Sequence, residues 1–125
     1  MTDTLQSPVD GSIQIILRKI PSLNQFYASK HWSVRKKYKD TLLKEINAQL
    51  SQCDKVAFTQ VEVTFCCNYR MDLDNCIMGV KFGLDALKEW GAILDDSPKY
   101  VKKVTIREDK EIPKGTGLLT IRAKK

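Results

Sequence analysis

Two acidic clusters carry the chemistry that this sequence offers. Asp72-Leu73-Asp74-Asn75 lies between an apolar run and a helical pattern, and Asp95-Asp96 follows that pattern. Carboxylates two residues apart on extended backbone point to one side, roughly 6.5–7 Å apart. Such charges repel unless a cation lies between them, and Mg²⁺ or Mn²⁺ takes oxygen ligands of this kind. The expected metal ligands are Asp72, Asp74, Asp95 and Asp96, with Asn75 adding an amide carbonyl. This requires the second helix to bring Asp95-Asp96 back beside the first pair. The chemistry that suits such a site is phosphodiester hydrolysis. One metal lowers the pKa of a bound water, and a second, about 3.5–4 Å away, stabilises the leaving oxygen. A nearby lysine would neutralise charge building on the phosphate.

Plainer uses exist for the same residues. Asp74 suits a helix N-cap, and Asp95-Asp96-Ser97-Pro98 suits a turn. Each cluster nevertheless holds a second aspartate that neither use requires. An EF-hand loop does not fit, because the central glycine and terminal glutamate are missing at the right spacing.

The elements that must position these residues are legible in the periodicity. Residues 1–12 read as a flexible N-terminus, and 13–125 as one domain. Ile13–Ile20 reads as a strand, followed by a loop to Ser33. Ser33 then caps a helix whose apolar stripe is Val34, Tyr38, Leu42, Leu43, Ile46 and Leu50. Its other face carries Arg35, Lys36, Lys37, Lys39 and Lys44. Val56–Cys67 alternates as a strand. A second helix runs from about Asn75 to Trp90, with Leu73, Cys76, Ile77, Val80, Leu84 and Leu87 inward and Gly91 as its stop. Strands at Tyr100–Arg107 and Leu118–Ala123 flank a turn at 113–117. The order β-α-β-α-β-β predicts an α+β fold of two layers, with two helices on one face of a small mixed sheet.

Composition narrows the partners. The chain has 125 residues and a formal net charge of +6, which favours a polyanion such as nucleic acid. No apolar run approaches the roughly 18–20 residues that span a bilayer, and the first residues lack a secretory pattern. The expectation is a cytoplasmic protein with no membrane partner. Four cysteines, Cys53, Cys66, Cys67 and Cys76, show no C-x-x-C pair and are expected to be reduced and structural.

Asp72-Leu73-Asp74-Asn75, Lys81, Asp85-Ala86-Leu87, Gly91 and Asp95-Asp96, with Pro21-Ser22-Leu23-Asn24-Gln25-Phe26-Tyr27 upstream, resemble the RusA family of Holliday-junction resolvases. The likeness runs from about residue 14 to residue 110. It implies a homodimer that binds a four-way DNA junction and cuts two opposed strands symmetrically with Mg²⁺, in recombination and repair. Small size and the family's habit associate it with phage. The family's metal-binding carboxylates match Asp72, Asp74 and Asp96, and its essential lysine best matches Lys81. Lys81 comes about one helical turn later than in the family pattern, and Met78 occupies the family's spacing.

For DNA contact the sequence offers Lys30, His31, Arg35, Lys36, Lys37 and Arg70, which would make binding salt-dependent. Tyr27, His31 or Trp32 would stack on bases. Two alternatives stand beside the nuclease. One is a catalytically silent DNA-binding protein of the same fold. The other is an aspartyl phosphatase, whose D-x-D-x-T/V motif Asn75-Cys76 does not match.

Overall fold

A computed structural model of the chain describes residues 12–18, 20, 32–53 and 57–124. Strand β1 spans Ile13–Leu17, helix α1 Trp32–Leu50 and strand β2 Val61–Asn68. One 3-10 turn, Leu73–Cys76, leads into helix α2, Ile77–Trp90. Strands β3, Val101–Glu108, and β4, Thr116–Ala123, follow. The fold is α+β, and the order β-α-β-α-β-β is the expected one. The sheet order is β1-β4-β2-β3. β4 is antiparallel to both β1 and β2, and β2 and β3 are parallel, so the sheet is mixed.

Strand alternation decides which residues enter the core. Ile13, Ile15 and Leu17 of β1, Val61, Val63, Phe65 and Cys67 of β2, and Leu119 and Ile121 of β4 are all buried. They meet Leu42, Ile46 and Leu50 of α1 and Met78, Phe82 and Leu87 of α2. Phe65 sits in a slot made by two glycines. A Cβ on Gly79 would lie 2.6 Å from its ring, and one on Gly117 would lie 2.5 Å away. Cys66 faces the other side of the sheet yet is buried, because Arg107 lies over it with Nε 3.3 Å from Sγ.

Several boundaries differ from the periodicity reading. β1 stops at Leu17 rather than Ile20. α1 starts at Trp32, so Ser33 is inside the first turn and not its cap. Val34 is 41% exposed, while Arg35 is half-buried. The inward stripe therefore runs through Arg35, Tyr38, Leu42, Ile46, Gln49 and Leu50. β2 begins at Val61, and β4 begins two residues early, at Thr116. Leu73, expected to be inward, is 41% exposed because the 3-10 turn rotates it off the helical stripe. No helix among the described residues is long and apolar enough to cross a membrane. The expected flexible residues 1–11, Lys30, His31 and the Pro21–Tyr27 motif lie outside the described residues.

The two edges of the sheet are treated differently. Along β1, Ile16 N–H donates to Gln49 Oε1 at 2.7 Å, and Gln49 Nε2 donates back to Ile16 O at 2.6 Å. Arg18 N–H donates to Glu45 Oε1 at 3.0 Å. One face of α1 thus acts as a substitute strand and closes that edge. Gln49→Leu leaves both Ile16 groups unpaired beside the core. It should cost about 1–3 kcal/mol, read as a lower midpoint in urea unfolding with an unchanged slope.

Candidate metal centre

The end of β2 holds the first acidic pair, and local bonding fixes that end. Asp109 N–H donates to Cys67 O at 2.9 Å and Gly115 N–H to Asn68 O at 2.7 Å. Asn68 Nδ2 donates to Ile112 O at 2.7 Å. Tyr69 is half-buried against Phe65, and its hydroxyl donates to Leu17 O at 2.7 Å. Burial, with neighbouring thiols and Glu45, pushes the Tyr69 pKa upward. The chain then turns outward through Arg70 and Met71 into the 3-10 turn.

Asp72 occupies the N-cap position of that turn but makes no side-chain cap bond. Its carbonyl instead accepts from Asn75 N–H at 3.0 Å. Asp74 lies inside the turn, and the residue that caps α2 is Cys76. The helix-cap reading of Asp74 therefore does not hold. Both aspartates are exposed, and neither carboxylate has a hydrogen bond or ion pair among the described residues. Two unneutralised carboxylates on one short turn fit a hard divalent cation in donor chemistry. Asp72 also lines a cavity of about 240 Å³ with Cys67, Tyr69, Met71, Leu73 and Glu108. Glu108 is a carboxylate the sequence reading passed over. It comes from the last residue of β3, and only the parallel register, Cys67 opposite Glu108, reveals it.

The second acidic pair is elsewhere in the chain. α2 runs back along the sheet, and Gly91, in left-handed conformation at φ 93°, ends it by donating to Leu87 O and Lys88 O. Phe58 N–H donates to Ala92 O and Val61 N–H to Tyr100 O, so residues 92–100 lie beside the start of β2. β2 then separates the pairs by its own length, about 23 Å at the rise of a strand. The expectation that Asp95-Asp96 returns beside Asp72 and Asp74 fails within one chain. A strand, a helix and a parallel strand put the helix's two ends at opposite ends of the sheet. No group of three or more acidic, cysteine or histidine residues placed to hold a metal occurs among the described residues.

Lys88 serves the second pair, with Nζ 3.8 Å from Asp95 and 3.6 Å from Asp96. These exposed contacts stabilise the fold little. Asp95 is held below the usual carboxylate range, chiefly by a hydrogen bond from the Asp96 backbone and further by Lys88. It therefore stays charged further into acid than an ordinary aspartate.

Lys81 is exposed on the outward side of α2, four residues past Ile77, about 6 Å along the axis. No ion pair joins it to Asp85 among the described residues. Of the expected DNA-contacting residues, Lys36, Lys37 and Arg70 are exposed. Lys36 is engaged with Asp40 at 2.7 Å. Arg35 departs from its expected place on the outer face: it is half-buried, and its Nε has no hydrogen-bond partner among the described residues.

The cysteines form no disulfide. Cys66, Cys67 and Cys76 are buried and Cys53 is half-exposed. Burial pushes the Cys67 and Cys76 thiols up, and the two lie against each other. A disulfide-exchange reagent should therefore label Cys53 first and the other three only on unfolding. Peptide mapping after a short exposure reads the order. No protein-family model and no curated protein matches the chain.

Proposed function

We propose that this chain is a Mg²⁺-dependent endonuclease for branched DNA, a four-way junction by the resemblance of its motifs, and that each metal site takes residues from two chains. The observation that carries the reading is the state of Asp72 and Asp74. They are exposed and have no hydrogen bond or ion pair among the described residues, Asp72 makes no side-chain cap bond, and the turn lies beside a cavity that Glu108 also lines. Exposed carboxylate oxygens of this kind are the ligands that a hard divalent cation takes. A bound divalent cation would neutralise phosphodiester charge and make the attacking water more acidic.

Asp72 and Asp74 would hold that cation. Asp95 and Asp96 stand at the far end of the same chain, so a site using both pairs draws the second from a partner subunit. A homodimer would give that separation a chemical reason. Lys88 would travel with the second pair and offset its charge until the cation arrives. Lys37, Lys39, Lys44 and Arg70, all exposed, supply the cationic surface that DNA phosphates need.

The test uses a labelled four-way junction and a plain duplex, each with and without Mg²⁺. Paired symmetric nicks in the junction alone, only with Mg²⁺, are expected. Junction binding with no cleavage under any divalent ion would replace the nuclease reading with a silent DNA-binding one. Metal-dependent phosphate release from small monoesters without DNA cutting would replace it with a phosphatase.

A further inference from the structure

We infer that the outer edge of β3 is the surface on which two copies of this chain associate, strand against antiparallel strand across a two-fold axis at Thr105. The reasoning starts from the asymmetry of the sheet. α1 closes the β1 edge with Gln49 and Glu45. β3 is the opposite edge, eight residues long, and no strand pairs with its outer side among the described residues. An open edge of that length is a template for another strand.

The peptide groups and side chains of β3 specify what fits. Asp109 N–H bonds to β2, so by strand alternation Thr105 and Arg107 also turn their peptide groups inward. Val104, Ile106 and Glu108 turn theirs outward. The register with Val63 and Phe65 puts Val104 and Ile106 on the helix-bearing face. Both helices pack chiefly over β1, β4 and β2, which leaves Val104 42% exposed and Ile106 half-buried. β3 therefore has an apolar strip on the face where the core should continue, which the core and the 3-10 turn cover only in part, leaving Val104 open.

An antiparallel second copy supplies the continuation. With the axis at Thr105, Val104 lies opposite the partner's Ile106, both with outward peptide groups. Lys102, the extra residue at a bulge near the start of β3, comes opposite the partner's Glu108 in the count along the strand, and symmetry repeats each pair. Lys103 faces the partner's Arg107 on the open face, where water and salt screen the repulsion. Moving the axis to Val104 loses the opposite-charge pairs. The result is a continuous eight-stranded sheet with no open β3 edge. It rests on the two-chain reading above in one respect. Antiparallel pairing sets the start of one β3, near Asp95-Asp96, beside the end of the other, near Asp72 and Asp74.

The tests need neither DNA nor metal, so they stand or fall apart from the nuclease reading. Sedimentation of the full chain should give twice the 14.3 kDa chain mass. In a Cys53→Ser background, Thr105→Cys should form a disulfide-linked dimer with oxidised glutathione. Two strand residues facing each other across a non-hydrogen-bonded site have the Cα separation a disulfide requires. Lys114→Cys, exposed on the β3–β4 turn, should stay unlinked. Val104→Lys should sediment as a monomer with an unchanged circular dichroism spectrum. A wild-type monomer overturns the inference. So does a dimer that Thr105→Cys fails to link, or one that survives Val104→Lys.

Discussion

Asp74→Asn should cleave a four-way junction more than about 100-fold more slowly than the wild type while binding it as tightly. The size follows from the place of the group. Loss of a residue that only supports a metal ligand typically costs about 10–100-fold, and a direct ligand should cost more. The exchange keeps the side chain's shape but removes one of two charges that have no ion pair among the described residues. Binding survives because a less negative turn repels phosphate less. Folding survives because Asp74 is exposed and makes no side-chain bond among the described residues that Asn would break; such surface changes stay within about 0.5 kcal/mol. Single-turnover cleavage and a gel-shift titration, on one preparation, separate the two effects. Wild-type cleavage by Asp74→Asn would remove the turn from the metal site. Loss of binding along with cleavage would make the turn part of the DNA surface instead.

Periodicity carried the architecture because strand alternation and helical stripes are local. Val61, Val63, Phe65 and Cys67 enter the core as their spacing demands, and α2 ends at Gly91 as expected. It failed where a turn changed the phase. The 3-10 turn at Leu73–Cys76 exposes Leu73 and displaces Asp74 from the cap, and no helical wheel drawn from Asn75 anticipates that. Arg35 was missed for a related reason. A stripe read from apolar residues alone selects Val34, but the helix turns a half-buried arginine inward.

The candidate site was legible as residue types and not as an assembly. Asp72, Asp74, Asp95 and Asp96 stand out by charge and spacing. Which of them meet depends on strand direction, a property of the whole sheet. Two parallel strands joined through a helix carry their connecting ends far apart, so proximity along the sequence misled. Glu108 shows the converse: far from Asp72 in sequence, it reaches the same cavity because β3 runs parallel to β2. Closing the β1 edge with Gln49 was equally hidden, since nothing in the sequence marks a glutamine that imitates a strand.

Mixing two inactive variants gives the sharpest measure of that separation. Asp74→Asn and Asp96→Asn should each be inactive alone and should restore cleavage together. If each site takes Asp74 from one chain and Asp96 from the other, a mixed dimer has one intact site and one doubly damaged site. Random exchange in an equimolar mixture makes half the dimers mixed, so about a quarter of the wild-type sites return under two-fold symmetry. The product is as informative as the amount. One working site per dimer nicks one strand, so the mixture should give single nicks and not the paired cuts of the wild type. If both aspartates belonged to a site within one chain, every site in the mixture would carry one lesion, and cleavage would stay at the level of the single variants. The experiment must allow subunit exchange, for example by refolding the variants together, and wild type refolded alone sets its scale. Recovery of single nicks would place the two acidic pairs across a subunit boundary. Absence of any recovery, with exchange demonstrated by mixed tags, would confine the chemistry to the turn at Asp72 and Asp74 and leave Asp95 and Asp96 as the ion pair that Lys88 already makes.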